Sequence, residues 1–138
     1  MGYSLHKIAL MRPPLPHQRI ARNIVINYFN RNSFVKYEAF QDGMAVPDDP
    51  DSHVPDVVFI ENSSNKVRLV IEIVDNKNFS EKYVAYLVET LTEQKNIKEV
   101  FLYNCEQKIW QSYGADIDER NPAYSKLLKI DFSEYTML

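Results

Sequence analysis

Two short runs constrain this chain more than any other feature: His53-Val54-Pro55-Asp56-Val57-Val58-Phe59-Ile60 and Val67-Arg68-Leu69-Val70-Ile71-Glu72-Ile73-Val74. Both are rich in β-branched residues, and Asn62-Ser63-Ser64-Asn65 separates them, so they read as neighbouring strands of a hairpin. Each strand carries one carboxylate in an apolar setting. With a side-chain period of two, Asp56 shares a face with Val58 and Ile60, and Glu72 shares one with Val70 and Val74. Buried charge is costly unless it is partnered. Two carboxylates brought together most often share a divalent cation.

The flanking sequence supports a mixed α/β domain. Ile20, Ala21, Ile24, Val25 and Tyr28 recur at helical spacing, which predicts an amphipathic helix from about Gln18 to Arg31 with Arg19 and Arg22 off the apolar stripe. Phe34 to Phe40 alternates as a strand, and Glu38 falls in phase with Phe34 and Phe40 as a candidate third acid near Asp56. Ser80 is the expected N-cap of a helix running to about Gln94, with Tyr83, Val84, Leu87, Val88 and Leu91 on its apolar face. Lys82 falls nearly opposite that face. Lys98 to Tyr103 and Lys108 to Tyr113 read as two more strands, and Lys126 to Phe132 as a last short one. Residues 1–16, with three prolines from position 13 onward, are expected as an extended arm before a single domain over 17–138.

Composition narrows the function classes. No run of 18 apolar residues exists, so no membrane span is expected. The single cysteine, Cys105, cannot form an intrachain disulfide, which fits a reducing cytoplasm. The net charge of −3 argues against strong non-specific nucleic-acid binding. Its distribution is uneven: residues 1–31 hold Lys7, Arg12, Arg19, Arg22 and Arg31 with no acid, whereas residues 38–61 hold seven acids and no base. Arg19 and Arg22 are thus candidates for phosphate contact, and the acidic segment for metal. His53, beside the acidic loop, is more simply a solvated residue than a ligand.

In order and spacing the motifs resemble the PD-(D/E)XK nuclease superfamily, and more closely its restriction endonuclease-like branch, widespread in bacterial genomes. The residues that carry the likeness are Pro55-Asp56, Ile71-Glu72-Ile73-Val74, Lys82-x-x-x-Tyr86 and Lys98-Glu99-Val100-Phe101-Leu102-Tyr103, within residues 17 to 113. The resemblance implies a restriction-endonuclease-like fold, a mixed central sheet flanked by helices. It also implies Mg2+ or Mn2+ held by Asp56, Glu72 and the Ile73 carbonyl, and metal-dependent phosphodiester hydrolysis of DNA. Val74 stands where the superfamily has its lysine. The branch takes that lysine from the helix, which implies Lys82 as the third catalytic residue, with Lys77 in the connector as a substitute. Asn78 stands where the branch often has an acid. A chain lacking the usual lysine is expected to cut slowly or not at all. The alternative is a non-catalytic module that keeps the nuclease-like fold to bind a partner or form a homodimer, its acids then paired with Lys or Arg.

Overall fold

The computed structural model describes residues 14–42, 54–77 and 80–138, so most of the expected arm, His53 and Asn78 lie outside the described residues. Helix α1 spans Leu15–Asn32, followed by strands β1 (Tyr37–Gln41), β2 (Val57–Glu61) and β3 (Lys66–Val74). Helix α2 (Glu81–Thr92), strands β4 (Glu99–Asn104) and β5 (Ile109–Gly114), the short pair β6 (Tyr124–Ser125) and β7 (Ile130–Asp131), and a single 3-10 turn (Phe132–Glu134) complete the chain. The five long strands form one sheet in the order β1-β2-β3-β4-β5. All neighbours are antiparallel except β3 and β4, which run parallel. Helix α2 supplies the crossover that a parallel pair requires. The expected mixed α/β sheet flanked by helices is present.

The pleat sorts the side chains into two layers. Tyr37, Ala39, Val57, Phe59, Leu69, Ile71, Phe101 and Tyr103 face α1 and the C-terminal segment. There Phe132 closes the core, its ring centroid 5.7 Å from Phe59, 5.0 Å from Phe101 and 5.9 Å from Trp110. Val58, Val67, Val70 and Val100 face the other way, against Leu91 and Ile97. Both layers are apolar, which is why β3 and β4 read as nearly continuous hydrophobic runs.

Three boundaries differ from the sequence expectation. Helix α1 begins at Leu15, with Pro16 in its first turn, where the missing N–H has no intrahelical acceptor to lose. Strand β1 begins at Tyr37 rather than Phe34, because Ser33 turns the chain at φ 56° and the Phe34 ring packs against Tyr28 and Phe29. The segment from Lys126 to Phe132 is not one strand: residues 126–129 form a tight turn between β6 and β7, with Ser125 Oγ accepting the Leu128 N–H and Lys129 at φ 59°.

The end of β5 depends on a glycine. Gly114 has φ 154°, and a Cβ there would lie 2.4 Å from the Lys98 carbonyl oxygen. Gly114→Ala is therefore expected to destabilise the fold by about 2 kcal/mol, read as a lower midpoint in denaturant unfolding.

Candidate active site

The strands of this sheet leave one end of it acidic. Pairs Val57↔Ile71, Val58↔Val70 and Phe59↔Leu69 define the β2–β3 register. One step further along that register, Asp56 stands opposite Glu72, where directly opposed residues have Cβ atoms about 5 Å apart. The side chain of Asp56 confirms the closeness: its Oδ2 accepts the Ile73 N–H at 2.7 Å. Glu72 is 5% exposed, at the centre of the sheet.

Proline 55 explains why the backbone is available here. In β3 the carbonyls of Arg68 and Val74 accept the amides of Lys98 and Cys105, which flank β4 on either side. The odd-numbered residues therefore turn their amides and carbonyls toward β2. Continued one pair further, the register sets Ile73 against Pro55, which has no N–H to give. The Asp56 carboxylate takes the Ile73 amide in place of a ladder bond. By the same alternation the Ile73 carbonyl also turns toward the β2 side.

The other predicted residues are distributed as follows. Glu38 is paired with Ile60, four residues from Asp56 along β2, or about 13 Å away at the strand rise. The residue at the level of the acids is Asp42, just past β1, whose N–H donates to the Asp56 carbonyl at 3.0 Å. Lys82 and Lys77 are both exposed, one in the first turn of α2 and one in the connector before it. Arg19 and Arg22 are exposed on α1, the latter donating to Asn23 Oδ1. Val74, at the position of the motif lysine, is 2% exposed.

Two residues that the sequence reading did not single out for chemistry lie at this end of the sheet. The ring of His17, on the first turn of α1, is buried with Nε2 3.5 Å from Asp75 Oδ2, just past β3. Its signal in the sequence was weak: a histidine three residues before the first apolar position of a helix. Tyr83, on the first turn of α2, is half-buried. Burial, then the negative charges of Glu72 and Asp56, raise its phenol far above the ordinary range, so it stays protonated. The sequence places Tyr83 on the apolar stripe with Leu87 and Leu91, in keeping with its partial burial. Cys105 is also near these acids. Burial, followed by the charges of Asp75, Glu106 and Asp56, pushes its thiol up, which leaves it a poor nucleophile.

The helix that carries Tyr83 is held by its cap. Ser80 Oγ accepts the Tyr83 N–H at 3.1 Å, as expected of a serine at that position. On the far side, Asn104 Oδ1 accepts the amides of Glu106 and Gln107, while its amide group donates to Asn76 Oδ1. The loops around the acid pair are therefore tied to one another.

No family model matches this chain, and no curated protein matches it. Among solved structures it is similar to a crystal structure from Anabaena variabilis described as "a putative nuclease belonging to DUF820". The TM-score is 0.61 over 93% of this chain and 79% of that one, at 15% identity. The fold is nuclease-like. At this identity the likeness extends to architecture alone. Among the described residues no helix is long and apolar enough to cross a membrane.

Proposed function

We propose that the chain is a metal-dependent nuclease of the PD-(D/E)XK type acting on DNA, with Asp56, Glu72 and the Ile73 carbonyl holding one Mg2+ or Mn2+. The observation that carries this reading is the register that sets Asp56 opposite Glu72, with the Asp56 carboxylate fastened to the Ile73 amide. The donors fit the ion. All three are hard oxygens, the set that Mg2+ and Mn2+ prefer. Among the described residues no cluster of three His, Cys, Asp or Glu forms around the pair. Water and a phosphate oxygen would then complete the shell, as Mg2+ favours. The nuclease description of the structurally similar Anabaena protein supports the same reading.

When bound, such a cation lowers the pKa of an attacking water and offsets charge on the scissile phosphate. The chain's own residues do the rest. The Ile73 amide orients Asp56, and the apolar sheet around Glu72 keeps its carboxylate poorly solvated, which strengthens its attraction for a cation. In this reading Arg19 and Arg22, exposed on α1, would contact the DNA backbone. Val74 contributes no charge where the superfamily has an ammonium, so transition-state stabilisation is weaker and turnover slow.

That buried valine also favours a second reading: a nuclease-like fold retained as a non-catalytic module for binding a partner or a second copy of itself. Calorimetric titration of Mn2+ separates the two. Asp56→Asn is the variant of choice, because asparagine can still accept the Ile73 N–H whereas alanine would leave that amide bare. The wild type is expected to bind one ion, and Asp56→Asn and Glu72→Gln each to lower the affinity more than about tenfold. A wild type that binds no Mn2+ would exclude the metal-nuclease reading and leave the interaction module.

A further inference from the structure

Both helices carry an outward stripe that the fold leaves uncovered. On α1, Leu15, Arg19, Arg22, Ile26 and Phe29 follow one another at alternating steps of four and three residues, the spacing of a single helical face, and all are exposed. On α2 the outward stripe runs through Tyr86, Glu89 and Glu93, again at steps of three and four, and all are exposed. Each stripe includes a ring left to water, Phe29 at 53% and Tyr86 at 61% exposed. The charges sit at the wrong ends for the helices that bear them. Helix α1 has no acid in its first turn and carries Arg19 just after it, near the positive end of its dipole. Helix α2 has no base in its last turn and carries Glu89 and Glu93 at the negative end of its own. Among the described residues Arg19, Arg22, Glu89 and Glu93 make no ion pair.

What neither stripe gains from its own helix, each can gain from the other. Seven residues, about 10 Å along a helix, separate Arg22 from Phe29 and Tyr86 from Glu93. With the two helices antiparallel, Phe29 therefore meets Tyr86 as Arg22 meets Glu93, and Glu93 falls between Arg19 and Arg22. The helix dipoles then oppose one another as well. The helices cannot meet within one chain, because α1 packs on the sheet face that holds Ala39 and Phe59 and α2 on the face that holds Val58 and Val70. We propose that α1 of one copy of this chain docks antiparallel on α2 of a second copy, arginines against glutamates and Phe29 against Tyr86. Because the two helices lie on opposite faces, the contact is heterologous: each copy offers α1 to one neighbour and α2 to another, and assembly runs head to tail. One helix against one helix buries less than about 1,200 Å2, which makes the association weak, and its charges make it sensitive to salt. The inference stands apart from the metal site. It bears on the DNA reading, since an arginine paired with a neighbour's glutamate is not free for a phosphate.

Sedimentation equilibrium of the full chain over a rising concentration series tests this, at about 0.05 M and at about 0.5 M salt. The mean mass of the wild type is expected to climb past two copies at low salt and to return to the monomer at high salt. Arg19→Glu/Arg22→Glu and Glu89→Arg/Glu93→Arg are each expected to stay monomeric. Their equimolar mixture is expected to associate, because the first keeps an intact α2 and the second an intact α1. Every substituted side chain is exposed and each reversal suits the dipole of its own helix, so a Tm at or above the wild-type value in dilute protein checks that the fold is kept. A wild type that stays monomeric throughout the low-salt series overturns the inference, as does an assembly that survives either reversal, survives high salt or stops at two copies. A mixture that stays monomeric overturns the pairing of α1 with α2. Neither result touches Mn2+ binding, so the metal site stands or falls on its own titration.

Discussion

Replacing Glu99 with alanine is expected to destabilise the protein by on the order of 3 kcal/mol, seen as a fall of roughly 10 °C in Tm. Glu99 is 2% exposed at the start of β4, yet its carboxylate is fully engaged. Oε1 accepts the Ser125 hydroxyl at 2.6 Å, and Oε2 accepts the Lys126 and Leu127 amides at 3.0 and 3.2 Å. Alanine leaves those two part-buried amides and the buried Ser125 hydroxyl without their acceptor, and an unsatisfied buried polar group costs about 1–3 kcal/mol. The loss would loosen the β6–β7 segment, whose next residues deliver Phe132 to the core. Glu99→Gln is the informative companion, because it keeps an acceptor and removes the charge. Burial raises the Glu99 carboxyl above its ordinary range, outweighing the hydrogen bonds that lower it. A raised carboxyl pKa in the folded state means that stability from this group is present at pH below the unfolded value near 4.5 and is lost as pH rises through the folded value. The glutamine variant lacks that loss. Urea unfolding of both proteins from pH 4 to pH 8 is expected to show the glutamine variant gaining on the wild type as pH rises, and a constant difference would contradict the desolvation argument.

Glu99 also shows where sequence reading reaches its limit. Its place in a strand was legible from Val100, Phe101 and Leu102, but its burial was not. The partners that make a buried carboxylate tolerable come from Ser125 to Leu127, 26 to 28 residues later. No local pattern connects them. The hairpin was legible for the opposite reason: β-branched runs, a polar turn and strict alternation are all local, and they place Asp56 and Glu72 on their faces correctly. That the two acids are directly opposed depends on register, which the Asn62–Asn65 turn and the bulge between Phe59 and Ile60 set together. The same dependence explains Glu38. Its phase was readable, but its level in the sheet was not, and the β1–β2 register brings Asp42 to the height of the pair instead. Tyr83 was legible as part of an apolar stripe. That the charges of Glu72 and Asp56 act on its phenol was not.

Placing a lysine at position 74, where the sequence resemblance expects one, is the sharper test of the proposed metal-nuclease reading. Val74→Lys is expected to raise Mn2+-dependent hydrolysis of duplex DNA by about 10²-fold, the scale on which a single oriented electrostatic contact acts in a dry site. Residues 72 and 74 lie on one face of β3 about 7 Å apart, within reach of a lysine stem. The Val74 carbonyl is already fixed by the Cys105 amide, so the backbone that would carry the ammonium is held. The cost falls on stability. Val74 is 2% exposed, and an ammonium there is tolerable only because two carboxylates stand beside it. A lower Tm is therefore expected together with the gain in rate, and Glu72→Gln added to Val74→Lys should lower Tm further than either change alone, since it removes the charge that compensates the new lysine. Cleavage that rises with the lysine would mean that the active site is intact except for one ammonium. A folded Val74→Lys protein that binds Mn2+ and leaves DNA uncut would instead favour the interaction module, because every other element of the nuclease site would then be present without the reaction.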